Sequence, residues 1–69
     1  MVEVFKTNIH RRQTAAKIKL ELLELFPDCK INFDLDDCDR ILRIESAVEI
    51  GKEIEKAIIT RGFSCQELF

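Results

Sequence analysis

The polar chemistry of this chain concentrates in His10, Arg11, Arg12, Gln13 and Thr14, where an apparent β-strand, Val2 to Ile9, gives way to an apparent helix. A neutral imidazole is a ligand for copper, nickel or zinc. His10 is, however, the only histidine, and the two guanidinium groups beside it create a field that repels cations. The arginines favour the opposite charge. At a helix start, free backbone N–H groups and the positive end of the dipole attract an anion or an acidic surface, and Arg11 and Arg12 add full positive charges there.

The other reactive side chains are dispersed. Cys29, Cys38 and Cys65 are an odd number of thiols without a CxxC pair, so neither a disulfide framework nor a zinc site is indicated, and they read as reduced cysteines. Cys29 falls at a helix end and Cys38 at a turn among Asp36, Asp37 and Asp39, acids that raise a thiol pKa and oppose a reactive thiolate. Asp36, Asp37 and Asp39 surround Cys38 at a spacing that matches no calcium loop, and read as a solvated turn. For catalysis, the sequence places no base beside a nucleophile, and its only glycines, Gly51 and Gly62, make no phosphate-cradling loop. Nucleic-acid binding lacks the required aromatics beside basic residues, because the exposed side of the second apparent strand carries acids.

A small scaffold must position these residues. The chain has 69 residues, 46% hydrophobic and 35% charged, which suits one soluble domain over residues 1–69. Val2, Val4, Phe5, Thr7 and Ile9 are β-prone. From about Arg11 to Phe26, the apolar positions Ala15, Ile18, Leu22, Leu25 and Phe26 recur at helical spacing, and Pro27 with Asp28 ends that helix. Ile31, Phe33 and Leu35 alternate with Lys30, Asn32, Asp34 and Asp36, as in a half-buried strand. Asp36, Asp37, Cys38 and Asp39 form a polar turn into a third strand, Arg40 to Glu45, with Leu42 and Ile44 inward.

Ser46 and Glu49 have the spacing of a capping box, which predicts that a second helix begins there. It runs to about Arg61, burying Ile50, Ile54, Ala57 and Ile58, with Gly51 weakening its first turns and Gly62 as a left-handed terminator. Phe63 to Phe69 supplies a last strand or tail whose Phe63, Cys65 and Leu68 return to the sheet. The order βαββαβ predicts an α+β, ferredoxin-like sandwich, a four-stranded antiparallel sheet with two helices on one face.

With these elements in order, the chain resembles the heavy-metal-associated, copper-chaperone-like domain family across nearly its whole length. The likeness rests on Phe5-Lys6-Thr7-Asn8-Ile9 in the first strand, Phe33-Asp34-Leu35-Asp36 in the second, Asp39-Arg40-Ile41-Leu42 leading into the third, and Arg61-Gly62-Phe63 after the second helix. In that family the first strand-to-helix loop carries two cysteines separated by two residues, which bind a soft ion such as Cu(I). The matching positions here are Arg11 and Thr14. A guanidinium stays cationic at ordinary pH and a hydroxyl is a poor ligand for a soft metal, so the resemblance implies the fold without its metal site. No cofactor is expected.

The resemblance also implies that Phe63 lies near this loop, and that the loop and adjoining helix faces dock partners. The expected function is a small protein-interaction or regulatory module, with His10, Arg11, Arg12, Thr14 and Phe63 as candidate residues for contacting a partner or an anion. Two other readings use the same loop. One is heavy-metal binding or transport through non-standard ligands that include His10; the other is an acylphosphatase-like enzyme, a class that shares the fold and holds phosphate with an arginine in the first loop. Residues 1–20 carry net charge +4 and residues 21–40 carry −5, an asymmetry suited to steering a protein partner or supporting weak self-association. Neither a leader-like segment nor an apolar run near eighteen residues is present in this sequence, so a cytoplasmic location without membrane contact is expected.

Overall fold

The computed structural model describes residues 1–35 and 40–68. Asp36, Asp37, Cys38 and Asp39, read above as a polar turn, and Phe69 at the tail lie outside the described residues. The elements run β1 Val2–Thr7, α1 Arg12–Leu25, β2 Lys30–Asp34, β3 Ile41–Glu45, α2 Gly51–Thr60 and β4 Cys65–Glu67. The strands form one antiparallel sheet in the order β2-β3-β1-β4. This is the ferredoxin-like α+β arrangement expected from the hydrophobic periods.

The strand period of two sorts the sheet into two faces. On β1, Glu3, Phe5 and Thr7 are buried, while Val2 and Lys6 are exposed and Val4 is half-buried. Register sets Phe5 beside Leu42 and Glu3 beside Ile44, and Leu42 in turn beside Phe33. Ala15, Ile18 and Leu22 of α1 and Ile54 and Ile58 of α2 bury their stripes with Phe5, Ile9, Ile31, Leu42 and Ile44 in one core. Burying an aliphatic or aromatic side chain of this size contributes about 1.5–3 kcal/mol.

Several expected positions shift. Ile9 is buried but lies beyond β1, and Leu25, assigned to the buried stripe of α1, is 55% exposed at the helix's last residue. Leu68 is 40% exposed, past the end of the three-residue β4. Gly62 takes φ +90°, and its N–H donates to the Ile59 carbonyl at 2.9 Å, which ends α2 as anticipated.

The capping box does not form. The Ser46 hydroxyl donates instead to the Val48 carbonyl, and α2 begins at Gly51 with Ile50 in the cap position and no cap from a neighbouring side chain. The acceptor comes from the sheet: Glu3, only 3% exposed, takes the Ile50 N–H on Oε2 at 3.2 Å. A capping box needs the Ser46 N–H as the donor for Glu49, and here that N–H donates to the Met1 carbonyl at 2.9 Å. A Cβ on Gly51 would lie 2.7 Å from Glu67 Oε1 and 2.8 Å from Glu3 Oε1, so the glycine that weakens the helix is what lets two carboxyl groups close on it.

Candidate functional site

The loop between β1 and α1 is held from both sides. Asn8 Oδ1 accepts the Ser64 N–H at 2.8 Å, tying the loop to the segment before β4. Thr7 Oγ1 donates to the Arg40 carbonyl at 2.8 Å and accepts the Ile9 N–H at 3.2 Å, while the Thr7 N–H also reaches the Arg40 carbonyl at 3.2 Å. Arg40 has φ +52°, a left-handed conformation that costs a side-chain-bearing residue about 1–2 kcal/mol. Its side chain uses that geometry: Nε donates to His10 Nδ1 at 2.8 Å and Nη1 to the Leu35 carbonyl at 3.1 Å.

This contact defines His10. Because Nδ1 accepts a hydrogen bond, it carries the lone pair, and the proton of the neutral ring sits on Nε2. Neither nitrogen then presents a lone pair to a metal unless the Arg40 contact breaks. Among the described residues, no three His, Cys, Asp or Glu side chains are grouped to hold a metal ion.

Arg11 occupies the N-cap position of α1 in an extended conformation, φ −95° and ψ +134°. It provides no side-chain cap, and the first turn of α1 contains no acidic residue. The Ala15 N–H is satisfied by the Arg11 carbonyl at 3.0 Å, the first bond of the helix. His10, Arg11, Arg12 and Lys17 are exposed. The positive end of the helix dipole and the cationic side chains therefore share one end of the molecule.

The expected site residues divide between two sides of α1. Thr14 and Phe63, both half-buried, line a cleft with Lys17, Ile18, Glu21 and Arg61. Arg61 spans the two helices, donating from Nε to Glu21 and from Nη1 to the Ala57 carbonyl at 2.8 Å. Arg12 belongs to the other side, where it borders a groove between α1 and β2 with Ala16, Lys19, Phe33 and Leu35. Phe63 is thus brought to Thr14, as anticipated, but the two arginines and the aromatic do not make a single pocket.

Two of the three thiols, Cys29 and Cys65, lie among the described residues. Cys65 is buried opposite Thr7, and burial, with Glu55 and then Glu67 nearby, pushes its thiol up to about 12. Cys29 is half-buried and also raised, by burial first and then by Asp28 and Glu3. Sequence reasoning assigned Arg40 no role beyond the start of the third strand and assigned Glu3 none. A polar residue on the inward phase of a strand, as Glu3 is relative to Phe5 and Thr7, was the available signal; nothing local marks Arg40.

Comparison with known protein families, curated proteins and solved structures yields no match to this chain. Among the described residues, no helix is long and apolar enough to cross a membrane.

Proposed function

We propose that this chain is a binding module of heavy-metal-associated type that has exchanged metal carriage for protein interaction, docking an acidic protein surface on the β1–α1 loop. The observation that carries this reading is the uncapped, acid-free start of α1, with Arg11 at the N-cap and His10 and Arg12 exposed on either side. The positive dipole end and the exposed cationic side chains beside it attract a carboxylate-bearing partner. The Arg40 and Asn8 contacts support the reading by fixing the loop before a partner arrives, which lowers the ordering cost of association. The module reading carries no catalytic step: His10 Nδ1 is engaged by Arg40, and among the described residues no nucleophile is bonded to the ring.

The test is an amide-resolved NMR titration of the reduced protein with a glutamate-rich peptide, run beside a Cu(I) titration against a competing chelator. Shifts confined to residues 9–17 that fade with added salt and vanish in Arg11→Ala support acidic-surface binding. Absence of those shifts, or tight Cu(I) binding lost in His10→Ala, overturns it.

A further inference from the structure

The sheet ends at β2, which is hydrogen-bonded to β3 on one side and has no strand on the other among the described residues. Such an edge offers unpaired backbone groups to another strand. Its side chains have an order that suits one particular strand. Lys30, Asn32 and Asp34 are exposed on one face, while Ile31, Phe33 and Leu35 turn toward the helices, the last two only half-buried.

We infer that β2 pairs antiparallel with β2 of a second copy of this chain, about a two-fold axis at Asn32. That register pairs the whole of Lys30–Asp34 with itself. Lys30 of each copy then stands opposite Asp34 of the other, so one strand supplies both halves of two ion pairs, as an isologous interface requires. Directly opposed residues in an antiparallel ladder have Cβ atoms about 4.5–5.5 Å apart, within reach of a lysine and an aspartate. On the helix side the same register sets Ile31 against Phe33 of the second copy and extends the core layer across the join.

The groove beside this edge fits the same occupant. Ala16 and Lys19 of α1, with Phe33 and Leu35, line its upper part, and Leu23, Cys29 and Ile31 line its lower part. Leu20, 65% exposed, lies one turn beyond Ala16 on this side of α1. The two-fold axis brings the second α1 alongside, antiparallel, so that Ala16 and Leu20 meet their own counterparts. Of the docking residues only Arg12 borders this groove, and the inference does not rest on the function proposed for the loop.

Sedimentation velocity over about 10 µM to 1 mM is the test, the range in which small edge interfaces associate. The wild type is expected to shift from the mass of one chain to twice that mass. Lys30→Glu and Asp34→Lys each place like charges opposite one another twice per dimer and are expected to weaken it about tenfold or more. The double variant K30E/D34K restores it, and an equimolar mixture of the two single variants forms a heterodimer tighter than either alone. Far-UV circular dichroism confirms that these exposed substitutions leave the fold intact. A monomer throughout the range overturns the inference, as does a dimer indifferent to the single reversals or one that the double variant fails to restore.

Discussion

Replacing Glu3 tests how α2 is started. Its Oε2 accepts the Ile50 N–H at 3.2 Å, and its Oε1, buried, has no hydrogen-bond donor. Glu3→Ala and Glu3→Gln both remove the charge, so the helix-dipole contribution cancels when the two variants are compared. The glutamine retains an acceptor for Ile50, worth about 1 kcal/mol as a cap. It also retains one buried methylene, worth about 0.8 kcal/mol. Glu3→Gln should therefore exceed Glu3→Ala in stability by about 2 kcal/mol, or about 8–16 °C in midpoint for a domain of this size. Urea and thermal unfolding at neutral pH measure it. Equal stability of the two variants would falsify the assignment of Glu3 as the cap of α2.

The wild type against Glu3→Gln then isolates the charge. A carboxylate near the start of α2 gains about 0.3–1 kcal/mol from the helix dipole. Against this stands an unpartnered buried oxygen that a glutamine amide would replace with a donor aimed at Glu67. Glutamine at position 3 should be at least as stable as the wild type. A loss exceeding about 1 kcal/mol would mean that the dipole outweighs the crowding of the two carboxyl groups.

Three further outcomes follow from the same contacts. Burial, then Glu3, Glu55 and Glu49, hold the Glu67 carboxyl above its ordinary 4.5, and when protonated it donates to Glu3. The native state therefore keeps this proton longer than the unfolded chain, and the associated stability is complete below 4.5 and lost as pH rises through the raised value. Glu67→Gln should flatten that part of the stability profile, and an unchanged slope would remove Glu67 as its source. Arg40→Gly should be more stable than Arg40→Ala by about 1 kcal/mol, because both lose the side chain and only alanine remains strained at positive φ; equal unfolding midpoints would count against that strain. Cys65, its thiol at about 12, should resist iodoacetamide in the native protein at about pH 8 and react on unfolding, and peptide mass mapping showing rapid native alkylation there would contradict its burial.

The fold was legible because it is written in short periods. Ile18 and Leu22 on α1, Ile54 and Ile58 on α2, and Leu42 and Ile44 on β3 occupy the inward positions that spacing assigned them. What escaped is non-local. The Ser46 and Glu49 spacing was sound as a local pattern, but the Ser46 N–H that Glu49 would take donates to the Met1 carbonyl, 45 residues earlier in the chain, and the helix that starts later has its Ile50 N–H on Glu3. Leu25 obeys the helical period and still faces solvent, while Leu22 and Phe26 before and after it pack on the core at this end of α1. At the loop, residue types identified a basic helix start, yet the ring contact that orients His10 comes from Arg40, thirty positions away. Periodicity reports which way a residue points; it carries no information on what arrives from the opposite strand.

The loop and the β2 edge share one element, and that sharing has a consequence. Helix α1 presents its start to the loop and its Ala16 side to the edge. Pairing of two β2 strands about Asn32 turns the two α1 helices antiparallel, so the two basic loops sit at opposite ends of the dimer and each stays open to its own partner. Arg11 precedes the helix and does not line the edge groove, whereas Arg12 borders that groove together with Asp34 and Leu35. Arg11→Ala should therefore weaken binding of a glutamate-rich peptide without changing self-association, while Arg12→Ala should alter both. Paired peptide titrations and sedimentation runs on the two variants separate these effects. If Arg11→Ala shifts the monomer–dimer midpoint as far as Arg12→Ala does, the loop and the edge are not separate surfaces, and the second copy must be reaching across the start of α1.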